Sequence, residues 1–223
     1  MEIHSVVLEH PILAIMRNIP LEKTVEYAGM AVRGGVSFFE VALNSEHALE
    51  QIHMLRDSMG DRCMIGAGTA VTVEKAREAM AAGAQFLLTP GSPEDVLEFC
   101  AERNVAMLPG VMTPSDVAVC MKYGFKTMKL FPAGSMPQGY VKTLKGPFED
   151  TEYVAIGGVN RNNIVRFLEE GYLGVGLASA LVPAEIIKEN RWEDGSEYIE
   201  TLVKELREWR GGARDEDQGD QDL

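Results

Sequence analysis

The chain is poor in the residues that build metal centres and disulfide frameworks. Its three cysteines, Cys63, Cys100 and Cys120, stand far apart with no C-x-x-C pair. That usage suits reduced, mostly buried thiols in a cytoplasmic protein. Four histidines, His4, His10, His47 and His53, form no metal-ligand spacing. His47 and His53 are six residues apart and would not share a helix face, so no metal site is expected. No apolar run reaches the ~18 residues of a membrane span, and no basic stretch followed by an apolar one opens the chain. Neither a membrane protein nor a signal peptide is expected. Positive charge is also scarce, with 21 Lys and Arg against 34 Asp and Glu and a net charge of −13. Nucleic acid is thereby excluded as an expected partner, because neutralising phosphates needs a basic face. A small anion is not excluded, since a few local cations and backbone N–H groups can hold one.

What the chain does have is 223 residues, 46% hydrophobic and 25% charged, enough for one sizeable soluble core. A weak repeat organises it. Amphipathic segments end in Gly or Asn, and a short apolar run follows at once: Gly34-Gly35 before Val36 to Val41, Gly83 before Ala84 to Leu88, Asn104 before Val105 to Leu108. Gly124 likewise precedes Phe125 to Phe131, and Gly171 precedes Tyr172 to Leu177. Gly or Asn just past a helix takes the left-handed conformation that closes it, so each copy is a helix stop and a strand start. Ile12 to Met16, Cys63 to Gly66 and Tyr153 to Ile156 complete eight candidate strands. Alternating β and α predicts a parallel sheet, and eight units in this length predict an α/β fold, a (β/α)8 TIM barrel of eight parallel strands. An open doubly wound sheet is the other arrangement.

Helix starts are marked between the strands. Pro20 precedes a helix over Leu21 to Val32, Ser45 caps one running to Met59, and Thr72 opens one with Glu74 in its first turn. Ser92-Pro93-Glu94-Asp95 and Thr113-Pro114-Ser115-Asp116 combine a cap, a proline and acids at the positive end of the dipole. Ser196 to Arg210 makes a last amphipathic helix. Residues 1–210 read as one domain, and 211–223, with five acids against one arginine, as a solvated, disordered tail.

In a parallel barrel the strand ends converge on one mouth, where polar residues carry the chemistry. Lys129 lies in the run Phe125 to Phe131, between Met128 and Leu130. Burial disfavours the ammonium form and frees the amine as a nucleophile toward a carbonyl carbon. The other reading is a lysine that snorkels to the rim or pairs with a carboxylate. Glu40 ends the apolar run Val36 to Phe39, where a carboxylate has no packing role. It reads as a proton shuttle beside the amine, or as an ion pair with Lys129 or Arg17. Arg17, after Ile12 to Met16, could fork onto a carboxylate or phosphate, or simply close the strand at the surface. Thr69, leaving the tight exit Gly66-Ala67-Gly68, offers a hydroxyl at the mouth, and Thr89-Pro90 ends the fourth strand. Gly157-Gly158, and Ser179 one unit later at the start of the next helix, fall at the seventh and eighth exits. Loops there often hold phosphate on backbone N–H groups; tight turns are the plainer alternative.

With Glu40, Gly66-Ala67-Gly68-Thr69, Pro109-Gly110-Val111-Met112-Thr113-Pro114, Lys129-Leu130-Phe131-Pro132, Lys145-Gly146-Pro147-Phe148 and Gly157-Gly158-Val159 in order along residues 11 to 183, the chain resembles a bacterial family. It is similar to the 2-keto-3-deoxy-6-phosphogluconate / 4-hydroxy-2-oxoglutarate aldolases. The resemblance implies a class I aldolase on a (β/α)8 barrel, a homotrimer acting on a small keto-acid sugar phosphate without metal or cofactor. Carried over by position, it makes Lys129 the Schiff-base lysine, Glu40 the acid/base, Thr69 a contact at the pyruvate end, and Gly157, Gly158 and Ser179 the phosphate loop; Pro90, at the fourth strand end, is a further substrate-binding candidate. Arg17 would supply a cation at the carboxylate end. Two positions depart from the gluconate-type pattern: Asn44 where an arginine is common four residues after the acid, and Ile156 where a threonine is common before the paired glycines. Both look more like the branch acting on the 6-phosphogalactonate epimer. The alternatives are an aldolase preferring unphosphorylated 4-hydroxy-2-oxoglutarate, a phosphosugar isomerase or epimerase barrel, and a non-catalytic metabolite-binding barrel.

Overall fold

The computed structural model describes residues 2–219, with side chains described through Arg210. Strands β1 (Ile12–Met16), β2 (Phe38–Ala42), β3 (Met64–Gly68), β4 (Phe86–Leu88), β5 (Met107–Leu108), β6 (Gly110–Val111), β7 (Thr127–Leu130), β8 (Glu152–Ile156) and β9 (Gly174–Leu177) form one sheet in the order β5-β4-β3-β2-β1-β9-β8-β7-β6. Every pairing is parallel. The sheet is a nearly closed barrel, because its two end strands are consecutive in sequence and separated only by Pro109. Nine strands stand where eight were expected. Pro109 has no N–H and interrupts the ladder, so β5 pairs only with β4 and β6 only with β7. The Pro109 carbonyl still accepts from Lys129 N (2.9 Å), which holds the two edges together.

Helices alternate with the strands: α1 (Ile3–Glu9), α2 (Thr24–Arg33), α3 (Ala48–Met59), α4 (Val73–Ala81), α5 (Glu94–Glu102), α6 (Pro114–Lys122), α7 (Tyr140–Lys145), α8 (Ile164–Glu169), α9 (Ala184–Lys188) and α10 (Trp192–Gly219). Two of the expected caps form. Thr72 accepts from Lys75 N, and Thr113 with Asp116 makes a reciprocal capping box. Two do not. Ser45 lies before a left-handed His47 that starts α3, and its hydroxyl accepts from Asn18 N instead (3.0 Å). Ser92 turns its hydroxyl onto the Gly110 carbonyl (2.8 Å), leaving Pro93 to flank α5. α10 begins at Trp192, earlier than the expected Ser196, and continues past the expected Arg210 to Gly219; the rest of the expected tail, 220–223, lies outside the described residues.

Two apolar layers hold this together. One lies between sheet and helices; the other fills the barrel with Leu13, Ile15, Phe38, Phe86, Leu88, Leu108, Val154 and Ile156. Alternation along each strand sends every second side chain inward, which is why these residues recur at i, i+2. Helix α1, which periodicity did not flag, brings Ile3 and Val7 under the same inner layer and closes its lower end. No helix among the described residues is long and apolar enough to cross a membrane.

Candidate active site

Lys129 on β7 and Glu40 on β2 come from strands four places apart in the sheet, yet their side chains meet inside the barrel, Nζ 4.0 Å from Oε2. Lys129 is 4% exposed and Glu40 0%. Neither carboxylate oxygen has a hydrogen-bond partner among the described residues. An enclosed carboxylate left without hydrogen bonds costs several kcal/mol, so stability does not explain it. The Phe131 ring centroid lies 5.2 Å from Nζ and screens the ammonium side of the pair. Lys126, three residues earlier and just before the strand, is exposed and pairs with Asp150 at 3.2 Å, so it points outward while Lys129 points inward.

A carboxylate fits inside the barrel because β3 yields space to it. Gly66 and Gly68 both face inward; a Cβ at Gly66 would overlap the Phe86 ring, and one at Gly68 the Glu40 carboxylate. The Gly-x-Gly pattern is therefore part of the strand, not the tight exit expected after Gly66. Thr69, next in the chain, is held at φ +62°. A β-branched residue in the left-handed region costs of order 1–3 kcal/mol, which marks a constrained strand exit beside Glu40.

The remaining sequence-predicted residues divide into groups. Gly157, at φ +90°, sits against the Phe131 ring, and its carbonyl accepts from Gly134 N (2.7 Å). Gly158, at φ +79°, has its carbonyl bonded by Asn163 Nδ2 (2.9 Å), while Asn163 Oδ1 accepts from Asn160 N (2.8 Å). Arg17 and Ser179 share a cavity of about 400 Å³ at the β1 and β9 exits, with Ile15, Tyr27, Lys23 and Lys188 also in its wall. Thr69 is not part of that cavity. Ser179 is in a loop and not at a helix start, because Pro183 delays α9 until Ala184. Pro90 is exposed; its turn is fixed by Thr89, whose hydroxyl donates to Gly91 O (2.6 Å) and accepts from Gly110 N (3.2 Å).

No group of three His, Cys, Asp or Glu that could hold a metal occurs among the described residues. Burial pushes the Cys100 and Cys120 thiols up to about 11 and raises Cys63, so none is poised as a nucleophile. The nucleophile with a buried acid facing it is Lys129.

The model of the family "KDPG and KHG aldolase" matches residues 3–197. This chain belongs to that family. A 2-dehydro-3-deoxy-phosphogluconate aldolase of Dickeya dadantii (strain 3937) is 33% identical over 187 residues, covering 82% of this chain and 86% of the relative. A 2-dehydro-3-deoxy-6-phosphogalactonate aldolase of Escherichia coli (strain K12) is 29% identical, covering 78% and 85%. Among solved structures, a KDPG aldolase from Legionella pneumophila superposes with a TM-score of 0.83 at 27% identity, over 91% of this chain and 98% of that one. In that structure pyruvate was captured as a covalent carbinolamine. The aldolase family makes carbon–carbon lyase chemistry the frame in which the Lys129–Glu40 pair is read.

Proposed function

We propose that this chain is a class I aldolase cleaving 2-keto-3-deoxy-6-phosphogluconate, or its galactonate epimer, to pyruvate and glyceraldehyde 3-phosphate. The observation that carries the reading is the enclosed Lys129–Glu40 pair, an amine nucleophile 4.0 Å from a carboxylate with no other partner among the described residues. Counting β5 and β6 as one strand interrupted at Pro109 makes the architecture a (β/α)8 barrel, which we place within residues 1–210. The assembly we expect is a homotrimer.

In the mechanism, the amine form of Lys129 attacks the C2 keto carbon, and loss of water from the carbinolamine leaves an iminium ion. Glu40 takes the proton of the C4 hydroxyl as the C3–C4 bond breaks, and the released pair flows into the iminium to give an enamine. Glyceraldehyde 3-phosphate departs. Glu40 then returns the proton to C3, and hydrolysis of the imine frees pyruvate and the amine. Thr69 and Pro90 border the pyruvate end. Gly157, Gly158 and Ser179 hold the phosphate end, and Arg17, which lines Ser179's cavity, serves that end rather than the carboxylate.

Two residues favour the galactonate epimer. Asn44 and the buried Ile156 put an amide and a hydrocarbon where the gluconate-type pattern has a cation and a hydroxyl. One hydrogen bond of about 0.5–1.5 kcal/mol biases the choice without deciding it. Initial rates on the two epimers measure that bias. The reaction class is tested by borohydride reduction in the presence of pyruvate. The parent chain should gain one reduced pyruvate adduct on Lys129, and Lys129→Ala none; an adduct on Lys126, or no adduct at all, overturns the reading.

A further inference from the structure

The cavity beside Arg17 and Ser179 contains a polar group that the fold leaves unused. Tyr27 lies on the buried face of α2, together with Thr24, Ala28, Met30 and Ala31. It is 1% exposed, and its hydroxyl has no hydrogen-bond partner among the described residues. Among the described residues the fully enclosed side-chain oxygens without a partner are those of Glu40, so the Tyr27 oxygen is not sealed in, and the cavity that Tyr27 lines is the space it meets. Other buried phenols are used differently: Tyr153, for instance, accepts from Thr151 Oγ1 at 2.9 Å. Ile15 and Ala178, which line the same cavity, also belong to or pack on the inner layer of the barrel, so the space opens from the mouth.

A phenol serves this position only if something in the cavity accepts its hydrogen bond, because phenylalanine would fill the same volume without the cost of burying a hydroxyl. The cavity wall says what that acceptor is. Arg17 has no ion pair among the described residues, and Lys188 adds a second cation, whereas the Lys23 ammonium is occupied by the carbonyls of Ile187 (2.7 Å) and Lys188 (3.2 Å). Ser179 supplies a further hydroxyl. Cations and hydroxyl donors converging on one space suit a phosphate. Burial pushes the phenol far above its ordinary range, so it remains a donor throughout the working pH.

We propose that Tyr27 is a substrate-binding residue whose hydroxyl donates a hydrogen bond to a phosphate oxygen held between Arg17 and Ser179. The assignment rests on the aldolase reading above and extends the phosphate end to helix α2.

Tyr27→Phe removes one oxygen and nothing else. In the synthetic direction, with pyruvate, its KM for glyceraldehyde 3-phosphate should rise about tenfold while KM for unphosphorylated glyceraldehyde and kcat stay as in the parent. Borohydride trapping of pyruvate should be unchanged, and Tm equal or higher. Calorimetric affinity for inorganic phosphate should fall by a similar factor, a measurement that needs no turnover. Equal phosphate affinity in the two proteins, a parallel rise in KM for both aldehydes, or a lowered Tm overturns the assignment. If the parent itself traps no pyruvate, the aldolase reading falls, and the phosphate titration still decides Tyr27.

Discussion

Glu40 shows most directly how one side chain can be costly for folding and useful for chemistry. Its carboxylate is enclosed, faces Lys129 at 4.0 Å and receives no hydrogen bond from the described residues. A group kept for packing would have been hydrocarbon. Glu40→Gln keeps the shape and removes the proton acceptor, so imine formation with pyruvate should persist while cleavage slows by about 10²–10⁴-fold. Trapping and turnover measured on the same variant separate the two steps. Loss of both would mean that Glu40 only holds Lys129 in place. The stability of Glu40→Gln should fall by about 3–5 kcal/mol, because removing one member of a buried pair leaves the Lys129 charge without its partner.

Elements place these side chains, and the placement can be disturbed without touching them. On β3, Gly68 is the surface against which the Glu40 carboxylate rests, and a Cβ there has no free space. Gly68→Ala should therefore displace Glu40, lowering kcat by at least about tenfold and destabilising the barrel by about 1–3 kcal/mol through overpacking. Wild-type kcat in that variant would show that Glu40 can move without loss. Helix α6 offers a test of a different kind. Asp116 Oδ2 accepts from Thr113 N (2.8 Å), Thr113 Oγ1 (2.9 Å) and Met112 N (3.0 Å). Partial burial pushes the Asp116 carboxyl up, but the bonds from Thr113 and Met112 together outweigh it and hold the group below the usual carboxylate range. A carboxyl lowered in the folded state stabilises above its unfolded value and loses that contribution as pH falls through the folded one. Asp116→Ala should cost about 0.5–2 kcal/mol at pH 7, and the gap to the parent should begin to narrow below about pH 4. Denaturant melts at the two pH values give the comparison; a gap that stays constant with pH would assign the cost to packing.

At the scale of the molecule the barrel separates stability from chemistry. Its lower end is closed by Ile3 and Val7 of α1, its upper end opens on Lys129, Glu40 and the glycine loops. Val7→Ala removes two buried carbons and should cost about 2 kcal/mol, with kcat and KM unchanged below the melting range. A change in kcat would show that the two ends are coupled.

Much of this was legible from local pattern. All eight apolar runs became strands, the Thr72 and Thr113 caps formed, and Lys129 and Glu40 stood out because a charge inside an apolar run conflicts with its neighbours. Other features gave no local signal. Ser45 and Ser92 have the right residue type for caps, but their hydroxyls found partners 27 and 18 residues away. Tyr27 reads as ordinary core on an amphipathic helix. Gly68 reads as a turn until the side chain that needs its space is known.

What the amino-acid order determined alone was periodicity: which segments extend, which coil, and which lysine and acid sit among hydrocarbon. What only the folded chain decided was who meets whom. The 4.0 Å between Lys129 and Glu40, the room at Gly68, the ladder break at Pro109 and the cavity joining Tyr27 to Arg17 and Ser179 all depend on strand order and closure. The reason is physical: backbone propensity acts within a few residues, whereas contacts across a closed sheet are fixed by register and packing of the whole barrel.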